Sequence, residues 1–293
     1  MVQILSGKEV SRKVYSNLIP RIDSLKSQGI TPGLAVILVG ENPASKIYVN
    51  SKTRKFESFG LHSKTIYLEK SIDEAELISK IQTLNHDREI HGILIQLPLP
   101  KQMNDLKIIQ LVSPEKDVDG FHPENVGLLS IGHPRFISCT PKGIMRIFEH
   151  YDIDLNGKHI VVLGRSNIVG RPISLLTSMK KTRANATTTV CHSGTKNIRD
   201  FTSSADVVIS ALGVPGFLTG NMLKKGAVVV DVGINRVEAE NEKGYRLVGD
   251  ADWVSIQDKV SAATPVPGGV GPMTIAMLVE NTVESAERII VNS

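Results

Sequence analysis

The sequence predicts an α/β protein of two α/β domains with parallel sheet, on three observations. Short β-branched runs alternate with stretches of helical periodicity at about the spacing of βαβ units, which argues for parallel strands covered on both faces. The length of 293 residues sets a prior of about two domains. Residues 158–172 read KHIVVLGRSNIVGRP, a buried strand ended by a glycine and followed by a helix start.

From the beginning of the chain, Val10, Val14, Leu18, Ile22 and Leu25 give residues 6–28 a helical spacing, and Gly29 is a C′ stop. Residues 34–39 form a buried strand ended by Gly40. In ENPASKIYVNSKTRKFESFG, Tyr48 and Lys52 stand four apart and share a helical face, a pattern that a solvated surface also produces. Residues 62–68 alternate as a strand, and Ser71 with Glu74 forms a capping box for a helix running to about Asn85. Residues 92–96, GILIQ, are a short apolar strand halted by LPLP. From Pro114, PEKDVDGFHPENVG reads as a long loop, functional or mobile, in which Asp117 either takes a catalytic role or only pairs with Lys116 or caps the turn. Thr140-Pro141 fits the N-cap and first position of a helix to about Tyr151, and the domain boundary falls within 117–140.

Residues 160–163 then form the strand that Gly164 ends. Ser166 and Asn167 can cap a helix beginning near Ile168, apolar through Leu175, Leu176 and Met179. A strand, a glycine turn and a helix N-terminus make an anion site suited to a pyrophosphate, although Gly-x-Ser-x-x-x-Gly departs from the usual Gly-x-Gly-x-x-Gly. The next strand, 186–195, ends in His192, Ser193 and Thr195, with Lys196 beyond and Arg165 back in the first turn. No acidic residue stands where a ribose 2′-hydroxyl would be held; hydroxyls and cations suit a 2′-phosphate, and so NADP. Residues 205–212 and 227–232 are further buried strands, each meeting a glycine, Gly213 and Gly233. Residues 263–274, ATPVPGGVGPMT, make a rigid, side-chain-poor loop, and an amphipathic helix over 274–290 closes the chain.

Thirty-four basic against 30 acidic residues, dispersed and with no basic run, argue against a nucleic-acid partner. Cys139 and Cys191 have no metal-ligand or disulfide spacing, which implies unpaired thiols in a reducing compartment and no metal. There is no signal-like apolar region and no run of 18 apolar residues, so no membrane association is expected and a cytoplasmic location is. A processed organellar protein would read the same. His122 and His192 read as structural hydrogen-bonders.

Six blocks carry a resemblance: YVNSK from Tyr48, GILIQLPLP from Gly92, KDVDGFHPENVG from Lys116, VVLGRSNIVGRP from Val161, TVCHSGT from Thr189 and TPVPGGVGPMT from Thr264. In order and combination the chain resembles the bifunctional methylenetetrahydrofolate dehydrogenase/methenyltetrahydrofolate cyclohydrolase family. The resemblance implies NADP-dependent oxidation of 5,10-methylenetetrahydrofolate and hydrolysis of the methenyl product to 10-formyltetrahydrofolate. With it come one-carbon metabolism, purine biosynthesis, tetrahydrofolate derivatives as partners and a homodimer. It implies a catalytic, folate-binding domain over 1–138 completed by the final helix, 272–293. A Rossmann-like NADP-binding domain over 139–271 and a cleft between the two domains are also implied.

Residue by residue, Lys52 matches the family's catalytic lysine, Tyr48 its partner, Gln96 the active-site glutamine and Asp119 the folate-binding aspartate. Leu97 and Pro98 follow Gln96 at the substrate. Arg165 and Ser193 match the 2′-phosphate receivers, Gly164 and Ser166 belong to the cofactor turn, and Ile234 matches a backbone contact to the nicotinamide half. Pro265, Gly268 and Gly269 match a loop closing over substrate, and Leu97-Pro98 and Val266-Pro267 are candidate cis peptides. A lysine with a lowered pKa could take the proton of the attacking water or could steady the neutral adduct. VGDADW at 248–253 departs from the family's usual VGDVDF, a change expected to repack surface away from the site. The basic stretch 178–186 is longer than usual and bears on the adenosine side. A monofunctional NAD-dependent dehydrogenase and a silent nucleotide- or folate-binding protein are the rival readings; Arg165 with Ser193 speaks against the first, and Lys52 with Asp119 against the second.

Overall fold

The computed structural model of the chain describes residues 1–242 and 244–292. It opens with strand β1 (Gln3–Ile4) and helix α1 (Gly7–Ser27), then runs through β2 (Gly33–Val39), α2 (Pro43–Ser58), β3 (His62–Leu68), α3 (Glu74–His86) and β4 (Gly92–Ile95). Three helices follow, α4 (Asp105–Ile109), α5 (Pro123–Ser130) and α6 (Cys139–His150). Next come β5 (His159–Leu163), α7 (Gly170–Ser178), β6 (Thr187–Cys191), α8 (Ile198–Thr202), β7 (Val207–Ser210) and β8 (Val228–Asp231). A hairpin of β9 (Asn235–Glu238) and β10 (Tyr245–Val248), helix α9 (Trp253–Ile256), β11 (Ala262–Ala263) and α10 (Val270–Asn292) complete it. No helix among the described residues is long and apolar enough to cross a membrane. The chain divides into two units, Val14–Cys139 with Ile275–Ser293, and Met1–Lys13 with Thr140–Thr274.

In the first unit all seven residues of β2 are buried, because it is the middle strand of a parallel sheet ordered β3-β2-β4. Edge strand β3 instead alternates between exposed and half-buried positions. Ile37, Val39, Leu77, Ile81, Leu84 and Ile93 form its core, each worth about 1.5–3 kcal/mol when fully buried. The α10 residues of this unit bury Met277, Leu278, Val279 and Val283, but also Asn281, Thr282 and Ser285. These polar groups are bonded: Asn281 Nδ2 donates to the Val118 carbonyl at 2.7 Å and Ser285 Oγ to that of His91 at 2.7 Å. The helix thereby satisfies carbonyls which, left bare, would each cost about 1–3 kcal/mol.

The second unit is a six-stranded parallel sheet ordered β1-β11-β8-β7-β5-β6. Strand β5 pairs with β6 on one side and β7 on the other. The direction of winding therefore reverses at β5, and in open parallel sheets ligands bind beyond the carboxyl ends of strands at such a switch point. The residue there is Gly164.

Several element boundaries differ from the sequence reading. Helix α7 begins at Gly170, because Ser166 Oγ accepts from Val169 N at 3.1 Å and shapes a turn before it. Strand β6 stops at Cys191, where Thr195 Oγ1 accepts from His192 N at 2.9 Å and folds 192–195 back. Ser71 and Glu74 form no capping box: α3 starts at Glu74 with Asp73 as its N-cap. The stretch read as a long loop contains α5, whose cap is His122, Nδ1 accepting from Glu124 N at 3.1 Å, with Pro123 following as N1 suits it. Helix α6 begins at Cys139, and α10 at Val270, because Pro272 in a first turn sacrifices no hydrogen bond. The β9–β10 hairpin, charged and short, gave no apolar alternation to read.

Candidate active site

Asn42 Oδ1 accepts from Ser45 N at 3.1 Å and Pro43 occupies the first turn, so α2 starts cleanly and carries Tyr48 and Lys52 one turn apart. The two are unlike in setting: Tyr48 is 41 % exposed, Lys52 only 8 %. Lys52 Nζ donates to Gln96 Oε1 at 3.1 Å. Gln96 follows β4, where its backbone N–H donates to the Ile37 carbonyl at 2.9 Å and its own Nε2 donates to the Leu97 carbonyl at 2.9 Å. Its amide is therefore held with the oxygen facing the lysine. Leu97-Pro98 is cis, as is Val266-Pro267 in the other unit.

Asp119 is half-buried in a loop pinned on both sides. Before it, the Val118 carbonyl accepts from Asn281 and from Cys139 Sγ, the latter at 3.5 Å. Around it, Asp117 accepts from Phe121 N at 3.2 Å, His122 N at 2.8 Å and Asn125 Nδ2 at 2.8 Å, so Asp117 is the turn's anchor. Burial pushes the Asp117 carboxyl up to about 7, against the pull of those donors. Burial holds the Lys52 ammonium below the ordinary lysine range, while the negative charge of Asp119 opposes the shift. Burial likewise raises Asp119, against Lys52 and a hydrogen bond with Cys139. A lysine that loses its proton more readily than usual, oriented by an amide and facing a carboxylate, is equipped to exchange a proton with a bound molecule.

The turn after β5 is shaped to take a phosphate. Gly164 sits at φ +111°, and a Cβ there would lie 2.5 Å from the Ala211 carbonyl oxygen; one on Gly170 would lie 2.2 Å from that of Gly164. Only bare glycines let the chain pass so closely. Residues 165–168 between them are exposed, at the N-terminal end of α7, where the helix dipole favours an anion. Leu163 and Cys191 are register partners, so Arg165 and Ser193 each lie two residues beyond neighbouring strand ends, and both are exposed. These residues fit a dinucleotide with a phosphorylated ribose. Gly164→Ala is expected to lower the unfolding free energy by about 1–3 kcal/mol, read as a lower urea midpoint at unchanged slope.

Beyond β8, Ile234 is 42 % exposed and follows Gly233. The loop bearing Pro265, Gly268 and Gly269 is tied to Lys8, in the stretch 1–13 of the same unit, whose N–H donates to the Gly268 carbonyl at 3.1 Å. Within 248–253, Asp250 is the same residue as in the family's usual VGDVDF, and its side chain turns inward to a neighbouring loop. Asp250 is fully buried and accepts from Leu212 N at 2.7 Å, Gly213 N at 3.1 Å and Val214 N at 3.0 Å, in the loop after β7. Asp231, pushed up to about 6 by burial and secondarily by the charge of Asp250, accepts from Asp250 N at 2.9 Å.

The structure thus brings Lys52, Gln96 and Asp119 together with Leu97, and sets Arg165 and Ser193 on adjoining loops. Tyr48 lies on the same helix as Lys52, with its ring more open to solvent. His192 Nδ1 accepts from Gly194 N at 3.1 Å and His122 caps α5, both structural roles. Asn281 and Asp250 went unread. The signal for Asn281 was a polar residue inside the apolar run of the last helix; Asp250, between glycine and alanine, offered none.

Two family profiles match the chain: tetrahydrofolate dehydrogenase/cyclohydrolase, catalytic domain, over residues 5–119, and the NAD(P)-binding domain of the same family over residues 138–290. The bifunctional protein FolD of Chloroherpeton thalassium is 50% identical over 291 residues, 98% of this chain and 99% of its own length. The crystal structure of the bifunctional methylenetetrahydrofolate dehydrogenase/cyclohydrolase from Campylobacter jejuni superposes with a TM-score of 0.93 at 48% identity, covering 99% of this chain and 100% of that one. The Trypanosoma brucei enzyme, solved with NADP and an inhibitor, gives a TM-score of 0.93 at 33% identity, covering 99% of this chain and 98% of the other. Matched in both halves and sharing half its residues with a full-length relative, the chain belongs to the tetrahydrofolate dehydrogenase/cyclohydrolase family.

Proposed function

We propose that the chain oxidises 5,10-methylenetetrahydrofolate with NADP and hydrolyses the resulting 5,10-methenyl cation to 10-formyltetrahydrofolate. The observation that carries this reading is the buried Lys52, bonded to Gln96 and electrostatically coupled to Asp119. NADP, held by the turn of Gly164, Arg165 and Ser166 with Ser193 on the next loop and the backbone of Ile234 at its nicotinamide half, supplies the hydride acceptor. The protein's part in that step is orientation. Asp119 accepts hydrogen bonds from the donor edge of the pterin, and Leu97 and Pro98 border the substrate.

Hydrolysis needs a base. The methenyl carbon is electron-poor, water adds to it, and one proton must leave that water before the ring opens to the formyl product. Neutral Lys52 spends one N–H on Gln96 Oε1 and keeps its lone pair for the water's proton. Tyr48 steadies the water or the substrate from the preceding turn. The reading assigns folate binding to residues 1–138 with 272–293 and NADP binding to 139–271. It places the chain in the cytoplasm as a homodimer, which light scattering tests as twice the 31.9 kDa chain mass.

The deciding experiment follows cofactor reduction with 5,10-methylenetetrahydrofolate, comparing NADP with NAD, and then decay of the methenyl product. NADP-dependent reduction followed by enzyme-accelerated decay is expected. Turnover with NAD alone, or decay at the uncatalysed rate, would overturn the corresponding half.

A further inference from the structure

We propose that Asp250 is a positioning residue for the dinucleotide site, fixing the loops that follow β7 and β8 so that they present their exposed residues to the nicotinamide half. The inference rests on the NADP reading above and deepens it.

Asp250 is 0 % exposed yet meets a ring of donors and, among the described residues, no cation. Oδ2 accepts from Leu212 N at 2.7 Å, Gly213 N at 3.1 Å and Ser210 Oγ at 3.4 Å; Oδ1 accepts from Val214 N at 3.0 Å and Asn235 Nδ2 at 2.9 Å. Three successive backbone N–H groups curled on one carboxylate form an anion nest, here filled by the protein's own side chain. Asp231 completes the linkage. Its Oδ1 accepts from Gly233 N at 2.9 Å and Asp250 N at 2.9 Å, and its Oδ2 from Ala251 N at 2.8 Å.

The two carboxylates interlock through glycines. A Cβ on Gly233 would lie 2.2 Å from Asp250 Oδ1, and one on Gly249 only 1.9 Å from Asp231 Oδ2, so each aspartate rests against a bare Cα beside the other. Three segments, 212–214, 231–235 and 249–251, are thereby locked to one another. Two of them leave the carboxyl ends of β7 and β8, on the sheet edge where the reversal at β5 places a ligand. What they present outward is exposed: Gly213, Val214 at 46 % and Ile234 at 42 %. The buried ring thus sets the shape of an open surface.

An amide cannot replace this carboxylate. An asparagine at this position would keep one acceptor oxygen and turn an NH₂ toward the remaining donors. In isothermal titration, Asp250→Asn is expected to weaken NADP binding at least tenfold. Its thermal transition should stay cooperative, and its hydrolysis of the methenyl compound should stay within twofold of the parent chain. Combining Asp250→Asn with Asn235→Asp, which restores an acceptor opposite the new NH₂, should recover part of the loss. Should Asp250→Asn fail to fold, Asn235→Ala, which removes one donor only, is expected to weaken NADP at least threefold. NADP binding within twofold of the parent in whichever of these variants folds would overturn the positioning role alone. So would a fall of hydrolysis and NADP binding in equal proportion. No NADP binding by the parent chain would overturn the nucleotide reading, and this inference with it.

Discussion

Lys52→Met is expected to reduce methenyl hydrolysis by about 10²–10⁴-fold, the usual contribution of a positioned general base. Methionine fills nearly the same volume, so packing around α2 and Gln96 is kept while the amine is lost. The pH dependence gives the sharper test. Burial holds the folded lysine's pKa below its unfolded value, so between those two values the unfolded chain binds more protons and the parent's stability rises with pH. The methionine variant has no such rise. The parent's hydrolysis rate should climb as the pH passes the lowered pKa and then level off, while the variant's residual rate stays flat over the same window. Lys52→Arg separates the two roles left open by the sequence. Arginine keeps the positive charge but cannot take a proton, so near-parental activity in that variant would overturn the base assignment and favour a cation that steadies the adduct.

What was legible in the sequence was whatever depends on local pattern. The strand, glycine and helix of 158–172 could be read because burial on both faces forces an unbroken apolar run, and a turn that close to Ala211 forces glycine. Even there the helix start was misplaced, since Ser166 caps a preceding turn and the true first residue, Gly170, is a poor helix former. The pairing of Lys52 with Gln96 spans 44 positions, and no periodicity could announce it; only the resemblance singled both out. Asn281 and Asp250 escaped for the same reason. Their partners, the carbonyl of Val118 and the N–H groups of 212–214, are backbone groups that carry no residue identity.

Arg165→Ala is expected to raise the KM for NADP about 10–100-fold and to leave that for NAD unchanged. The argument starts from register. Leu163 and Cys191 are partners across adjoining strands, and Gly164 N donates to the Cys191 carbonyl at 2.8 Å, so the two loops run side by side as they leave the sheet. One contributes a guanidinium and the other the Ser193 hydroxyl, with no carboxylate in either 164–168 or 192–196 to hold an unmodified ribose. A hydrogen bond to a charged group is worth about 1.5–3 kcal/mol, which at about 1.4 kcal/mol per factor of ten gives the range stated. Ser193→Ala removes a weaker, singly donated bond, and a rise of about fivefold is expected. Because Arg165 is exposed, its contribution should shrink as ionic strength rises, and the gap between the parent and Arg165→Ala should narrow in high salt. A salt-independent gap would mean that Arg165 acts through the shape of the turn, and an unchanged NADP-to-NAD ratio in Arg165→Ala would remove it from the 2′-phosphate altogether.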